Sequence, residues 1–348
     1  MTQQDHPKLE DTVLRCVAIR PETPTARTYV FEMEQAGGLA FKAGQFLNFT
    51  FDIDGTEELR SYSLSSSPVQ SKRLAITVKK VEGGRVSNWL FENLKVGAQV
   101  RASGANGQFH WGDTDDAPLL LLTAGSGITP AASMMRSFSD TGSTRNVVFV
   151  HYASSRGDMI FADEMRLWAR TIPNAQIIPL ITRPEAYSGW VGPVGRPTVA
   201  QLQGLVPDIG RRKIYCCGPE AFMETVEKML PELQVDPENF VTESFGASAD
   251  SDVPVPQNTS STQLSATFSR SGSSVPISTE QTLLSAAQAA GVRVQTSCKK
   301  GACGTCRVKI ESGSVDIRHD GGISQREMDK GFALACCSYA TSDVVIRA

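Results

Sequence analysis

The stretch Leu120-Leu-Leu-Thr123-Ala-Gly125-Ser126-Gly127-Ile128-Thr129-Pro130 runs from an apolar strand through a glycine turn into a helix start. A strand apolar at every position is one buried on both faces, as in a parallel sheet covered by helices. Gly125 and Gly127 allow a backbone to approach closely, and the first turn of the helix offers unpaired N–H groups to an anion such as a dinucleotide phosphate. Downstream the pattern repeats. Apolar runs at 118–123, 146–152, 175–181 and 212–217 alternate with helical stretches at 130–139, 161–171, 198–205 and 220–230. The expectation for residues 114–246 is therefore an α/β domain with a parallel sheet. Upstream, residues 1–113 alternate in strand fashion at 12–19, 45–51, 60–64 and 73–81, with one helix at 86–94, as in an antiparallel β-barrel. Residues 247–262 are rich in Ser, Asp and Pro and read as an exposed linker. The remaining segment, 263–348, reads as a small α+β unit of the β-grasp kind. Strands are expected at 264–269, 275–277, 307–310 and 344–346, with a helix at 282–290.

That last unit carries four cysteines, Cys298, Cys303, Cys306 and Cys336, spaced C-x4-C-x2-C with the fourth well beyond. This is the ligand spacing of a plant-type [2Fe–2S] cluster. Gly301, Ala302, Gly304 and Thr305 are small enough for backbone N–H groups to approach the sulfurs and offset the cluster's negative charge. A zinc site is the alternative, although zinc favours paired C-x2-C knuckles and only one is present. Cys336 is followed directly by Cys337, so one of the two must be the ligand.

The bulk numbers exclude several classes. Of the eight cysteines, Cys16, Cys216, Cys217 and Cys337 are left over and show no secreted-scaffold pattern, so a reducing cytoplasm is the expected compartment. The start, Met1-Thr-Gln-Gln-Asp-His6, has no signal-peptide character, and no apolar run is long enough to span a bilayer. A net charge of −3 gives no reason to expect nucleic acid.

Arg60-Ser61-Tyr62-Ser63-Leu-Ser-Ser66 has the form R-x-Y-S-x-x-S. With Gly44-Gln45-Phe46 before it, Thr77-Val78-Lys79 after it, and then Gly84-Arg85-Val86-Ser87-Asn88-Trp89-Leu90, it resembles the flavin motif of the ferredoxin–NADP reductase superfamily. A flavin diphosphate needs a fixed cation, which Arg60 can supply, and a helix N-terminus, which Gly84 to Ser87 can supply. The helix cap favours FAD over FMN. The resemblance implies that Tyr62 lies against the isoalloxazine and that Ser63 hydrogen-bonds flavin N5. The glycine turn is not G-x-G-x-x-G. It resembles the nicotinamide-side loop of the same superfamily, which implicates Thr123, Gly125, Ser126, Gly127 and Pro130.

Tyr215-Cys216-Cys217-Gly218-Pro219 resembles the family's C-G-P motif, whose cysteine lies near nicotinamide C4. A buried small hydrophobe is the alternative for Cys217. Ser155-Arg156 and Thr182-Arg183 stand where the superfamily recognises the adenosine ribose. An arginine there grips the 2′-phosphate of NADPH or stacks on adenine, and the leaning is to NADH. Phe245, in a Glu-x-Phe pattern, is similar to the aromatic that covers the flavin face in such reductases, a plain core Phe being the alternative. The C-terminal run resembles plant-type ferredoxins with Cys336 as ligand and Cys337 as a packed thiol.

The whole order of motifs resembles the reductase component of a multicomponent oxygenase, Rieske-type partners being favoured and demethylating enzymes among them. It implies electron flow from NAD(P)H through FAD and [2Fe–2S] to a transiently docked partner. Reductases for a hybrid-cluster protein or a cytochrome P450 are the runners-up, as is a carrier subunit that does not itself oxidise NADH. Residues 262–348 hold ten Lys and Arg against seven Asp and Glu. Lys299, Lys300, Arg307 and Lys309 flank the cysteines, either as simply solvated charges or as a basic collar that docks an acidic partner or the acidic reductase half.

Overall fold

The computed structural model describes residues 9–33, 38–111, 116–184, 189–245, 264–292, 294, 296, 301, 304, 306–319, 322–323 and 325–348. The linker, Cys298, Cys303, Lys299 and Lys300 lie outside the described residues. The chain falls into two compact units, the larger of residues 1–105 and 109–245 and the smaller chiefly of residues 246–348.

In the larger unit, β1 (Leu9–Thr23), β2 (Ala26–Met33), β3 (Phe46–Ile53), β4 (Thr56–Ser63), β5 (Arg73–Lys79), α1 (Arg85–Asn93) and β6 (Gln99–Asn106) form the first domain. Its six strands run in the order β4-β3-β6-β1-β2-β5. The edges meet where Leu64 bridges Ile76 antiparallel and Ser65 N donates to Ala75 O at 2.7 Å, which curls the sheet into a barrel. Leu47, Phe49, Phe51 and Ile53 fill it at alternate positions of β3. β2 and β6 are strands that the alternation alone did not expose. The β3–β4 hairpin turns through Asp54 and Gly55, both at positive φ, as a two-residue hairpin requires.

The second domain consists of β7 (Leu119–Ala124), α2 (Ile128–Asp140), β8 (Val147–Ala153), α3 (Ala162–Thr171), β9 (Ala175–Ile181), α4 (Val199–Leu205), β10 (Lys213–Cys217), α5 (Glu220–Met229) and β11 (Phe240–Glu243). All strand pairings are parallel, in the order β11-β10-β7-β8-β9. The chain winds outward from β7 to β9 and then crosses back to β10, so the switch point lies between β7 and β10. Thr198 caps α4 by accepting from Gln201 N. β11, absent from the sequence expectation, adds an edge strand that ends at Glu243.

Two contacts from α2, one through a serine and one through an arginine, tie the domains together. On α2, Ser133 Oγ donates to Ser66 O at 2.6 Å, and the Arg136 guanidinium donates to Ser65 O. Arg136 also grips Glu164 through Nε at 2.8 Å and Nη2 at 2.6 Å, while its plane lies 4.5 Å from the Phe161 ring.

In the smaller unit, β12 (Leu264–Phe268), β13 (Ser273–Ile277), α6 (Leu283–Ala289), β14 (Arg307–Ser312), β15 (Val315–Ile317), α7 (Gln325–Asp329), β16 (Phe332–Leu334), β17 (Ser338–Ala340) and β18 (Val344–Arg347) follow in order. The main sheet runs β13-β12-β18-β14-β16, with β12 and β18 parallel, and α6 buries Leu283, Leu284 and Ala287 in its core. This is the expected α+β arrangement, with β15, α7, β16 and β17 added.

Candidate functional site

The switch point gathers residues from four strands and two loops. Strand pairing puts Cys217 beside Thr123 on one side and beside Glu243 on the other. A Cβ on Gly127 would sit 2.2 Å from Cys217 O, so the glycine turn and the Cys217-Gly218-Pro219 loop touch backbone to backbone. Ser63, at the end of β4, donates from Oγ to Glu243 Oε2 at 3.0 Å. Burial pushes the Glu243 carboxyl up to about 8, with the Ser63 hydrogen bond opposing in part. Burial likewise raises the Cys217 thiol well above its ordinary value, with Glu243 adding to it, so Cys217 stays a neutral thiol.

Glu243 is the residue that sequence reasoning missed. The Glu-x-Phe pattern contains it without marking it as a site residue. Phe245 follows β11 and is 39 % exposed, so it is not a core phenylalanine. The other nucleotide residues lie at the same end of the sheet. Ser155 and Arg156 follow β8, held beside Thr182 and Arg183 by backbone bonds from Thr182 N to Ala153 O and from Arg183 N to Ser154 O, both 2.9 Å.

Several predicted contacts are interior in their side chains. Thr77 shares its hydroxyl with Thr28 at 2.8 Å and Ser65 at 3.0 Å, while Val78 and Val86 belong to the barrel core. Thr123 is fully buried and bonds His151 Nδ1 at 2.8 Å. Pro130 is buried within the first turn of α2. These positions are committed to packing, so any contact they make with a cofactor is through the backbone. Ser61 Oγ donates to Asn48 Oδ1 at 2.7 Å, and Ser87 Oγ accepts from Val81 N at 3.2 Å.

The surroundings of Arg60 and Tyr62 on β4 have the chemistry a flavin dinucleotide needs. Arg60 comes from β4 and Arg85 from the first residue of α1, whose N-cap Gly84 provides no side-chain cap of its own. Tyr62 is braced by edge contacts to Phe49 and Phe51 at 6.0 and 6.3 Å, which fixes a flat face beside the two cations.

In the smaller unit, Cys306 and Cys336 are buried side by side, with Cys336 N donating to Cys306 Sγ at 3.5 Å. The Cys306 sulfur, then Cys337, draw the Cys336 thiol well below its usual range, toward the thiolate a metal ligand must be. A Cβ on Gly304 would meet Gly322 O at 2.7 Å, so only glycine fits at this point of the cysteine loop. The donor set and the backbone N–H fit a [2Fe–2S] cluster. Cys337 turns its thiol to Leu334 O at 3.7 Å, a packed role.

Comparison with known proteins matches residues 17–111 to the oxidoreductase FAD-binding domain, 121–228 to the oxidoreductase NAD-binding domain and 266–341 to the 2Fe-2S iron-sulfur cluster binding domain. The glycine betaine monooxygenase reductase subunit of Pseudomonas aeruginosa is 35% identical over 345 residues, covering 96% of this chain and 94% of that protein. The chain belongs to the ferredoxin–NADP reductase superfamily, in its branch with a fused 2Fe-2S domain. Another member, the stachydrine N-demethylase reductase subunit Stc4 of Rhizobium meliloti, is 33% identical and covers 96% of each chain. Among solved structures, phthalate dioxygenase reductase aligns with a TM-score of 0.60 at 25% identity, covering 97% of this chain and 98% of that one. Family membership makes the chain a flavin and iron–sulfur oxidoreductase. Among the described residues, no helix is long and apolar enough to cross a membrane.

Proposed function

We propose that this chain is the NADH-oxidising reductase component of a Rieske-type oxygenase, one that demethylates a quaternary amine. The observation that carries the reading is the meeting of Ser63, Cys217 and Glu243 at the open end of the parallel sheet. Bound FAD would take electrons as a pair, and the [2Fe–2S] cluster would pass them on singly. Arg60 and Arg85 hold the diphosphate, Tyr62 lies along the ring, and Ser63 addresses its reactive edge. Thr77, Val78, Lys79, Gly84, Val86 and Ser87 support the site through backbone and packing. Gly125, Ser126 and Gly127, with Gly218 and Pro219, cradle the nucleotide so that Cys217 meets the nicotinamide. Ser155 and Arg156 take the ribose end, and Phe245 covers the ring when nicotinamide is away. With its carboxyl raised to about 8, Glu243 holds a proton near neutral pH and brings no full negative charge to the hydride path. Cys298 and Cys303 complete the ligand set with Cys306 and Cys336.

The printed name of the stachydrine N-demethylase reductase subunit supports a demethylating partner, and that of the glycine betaine monooxygenase reductase subunit supports a quaternary-amine substrate. Transient docking is supported by the face beside Cys306, where Arg307 and Lys309 stand 5.5 and 5.0 Å from the Phe332 ring. Two cations over one half-buried ring, Arg307 also pairing with Glu327, suit a brief, steered encounter with an acidic surface. The test is NADH-driven turnover of a purified Rieske oxygenase that demethylates glycine betaine, with formaldehyde measured. Formaldehyde formation dependent on this chain and on NADH is expected, with its rate falling as salt is raised. A chain that reduces ferricyanide from NADH but delivers no electrons to that oxygenase at any ionic strength overturns the partner.

A further inference from the structure

Antiparallel pairing sets Glu58 opposite Phe51, Arg60 opposite Phe49 and Tyr62 opposite Leu47, so the three side chains leave β4 on one shared face. There the Glu58 carboxylate joins both cations. Its Oε2 is 3.3 Å from Arg60 Nη1, and its Oε1 is 3.4 Å from Arg85 Nη1. Arg85 is steadied further by donating from Nη2 to Ile53 O at 3.3 Å. One carboxylate therefore bridges two guanidiniums that come from different elements, a strand and a helix start. A diphosphate would make the same bridge, with the same charge sign and the same bidentate fit to guanidinium.

We propose that Glu58 is an internal counter-ion of the flavin site, a carboxylate that competes with the FAD diphosphate for Arg60 and Arg85 and so sets how tightly FAD is held. The inference rests on the reading that these two arginines take the diphosphate. It adds that their availability is regulated from within the chain. The ion pairs are partly solvated, with side-chain exposures of 25 % for Arg60, 18 % for Glu58 and 48 % for Arg85, so the carboxylate can swing aside at modest cost. Displaced, it still lies near the phosphates. One charge opposing a doubly charged group at roughly 6 Å, screened almost as in water, weakens binding by about tenfold. Glu57, the preceding residue, points to the other face and pairs with Arg101, so it carries the same charge without the same role.

The test uses the full chain loaded with FAD. FAD release is followed by the return of flavin fluorescence on dilution, and Kd is measured by titrating the flavin-depleted chain with FAD. Glu58→Gln is expected to bind FAD about tenfold tighter at low salt, the difference narrowing as salt is raised. Glu57→Gln is expected to leave Kd within twofold. Arg60→Ala is expected to weaken FAD by at least tenfold. An Arg60→Ala chain that binds FAD normally overturns the diphosphate reading and the proposal with it. If Arg60→Ala weakens FAD but Glu58→Gln leaves Kd unchanged or weakens it, Glu58 merely positions the arginines and the counter-ion proposal is overturned alone.

Discussion

Replacing Gly127 by alanine should cripple hydride entry while leaving FAD in place. The added Cβ would lie 2.2 Å from Cys217 O, 2.4 Å from Cys217 C and 2.5 Å from Gly218 N. A carbon needs roughly 3.2 Å or more from such atoms, so about 1 Å of displacement must be found. The obstacle is backbone, not the end of a flexible side chain, and both partners are anchored: Cys217 is locked into the ladder with β7 and β11, and Gly127 leads directly into α2. Overpacking of this kind costs about 1–3 kcal/mol of stability. The larger effect is on rate, because a misplacement of about 1 Å in a hydride-transfer geometry costs on the order of 100-fold. The assay is anaerobic stopped-flow bleaching of the flavin by saturating NADH, with bound FAD quantified first. About 100-fold slower bleaching at unchanged FAD content is expected. Gly204→Ala, whose Cβ would have nothing within 4 Å, is the control and should bleach at the normal rate. A Gly127→Ala chain bleaching within about threefold of normal would show that the two loops need not touch.

Two further outcomes follow from the same unit. Glu243 ionises near about 8 in the folded chain and near 4.5 as an ordinary carboxyl. The folded state therefore keeps a proton that the unfolded state has lost between those values, and stability falls as pH rises through that window, levelling above about 8. In Glu243→Gln the decline in thermal midpoint between pH 5 and 8 should flatten, and an unchanged slope would refute the assignment. Arg136→Ala removes the grip on Glu164, the bond to Ser65 O and the Phe161 stack together. A loss of about 2 kcal/mol is expected. This should lower the temperature of flavin release by roughly 5 °C in a unit of this size, and no change would show that the domains hold together without it.

The local signals were legible for a local reason. The C-x4-C-x2-C run, the Gly125–Gly127 turn and the R-x-Y-S motif each place their chemistry within a few residues, where chain geometry leaves few options. The β7 and β9 runs were found to within a residue because an apolar or alternating pattern is itself the cause of the strand. β2 and β6, inside the barrel sheet, and β11, at the edge of the parallel one, escaped because a strand's place in a sheet is decided by the partners that receive its hydrogen bonds as much as by its own composition. Thr77, Val86 and Thr123 belong to the motifs expected from the sequence, but their side chains turn inward, since a motif fixes position along the chain and packing fixes which way a side chain faces.

The sequence by itself therefore determined the domain types, their order and the family, all of which are read from short-range spacing and periodicity. Only the tertiary structure decided what Glu243 and Glu58 do. Ser63 and Glu243 are 180 residues apart, and their contact exists only because the barrel edge meets the edge strand of the parallel sheet. Glu58 becomes a bridge only when strand register turns it toward a pair of cations, the second of which comes from a helix. An acidic side chain in a sequence is an ordinary surface charge until folding chooses its neighbours, and here the neighbours were chosen by pairing across the whole unit.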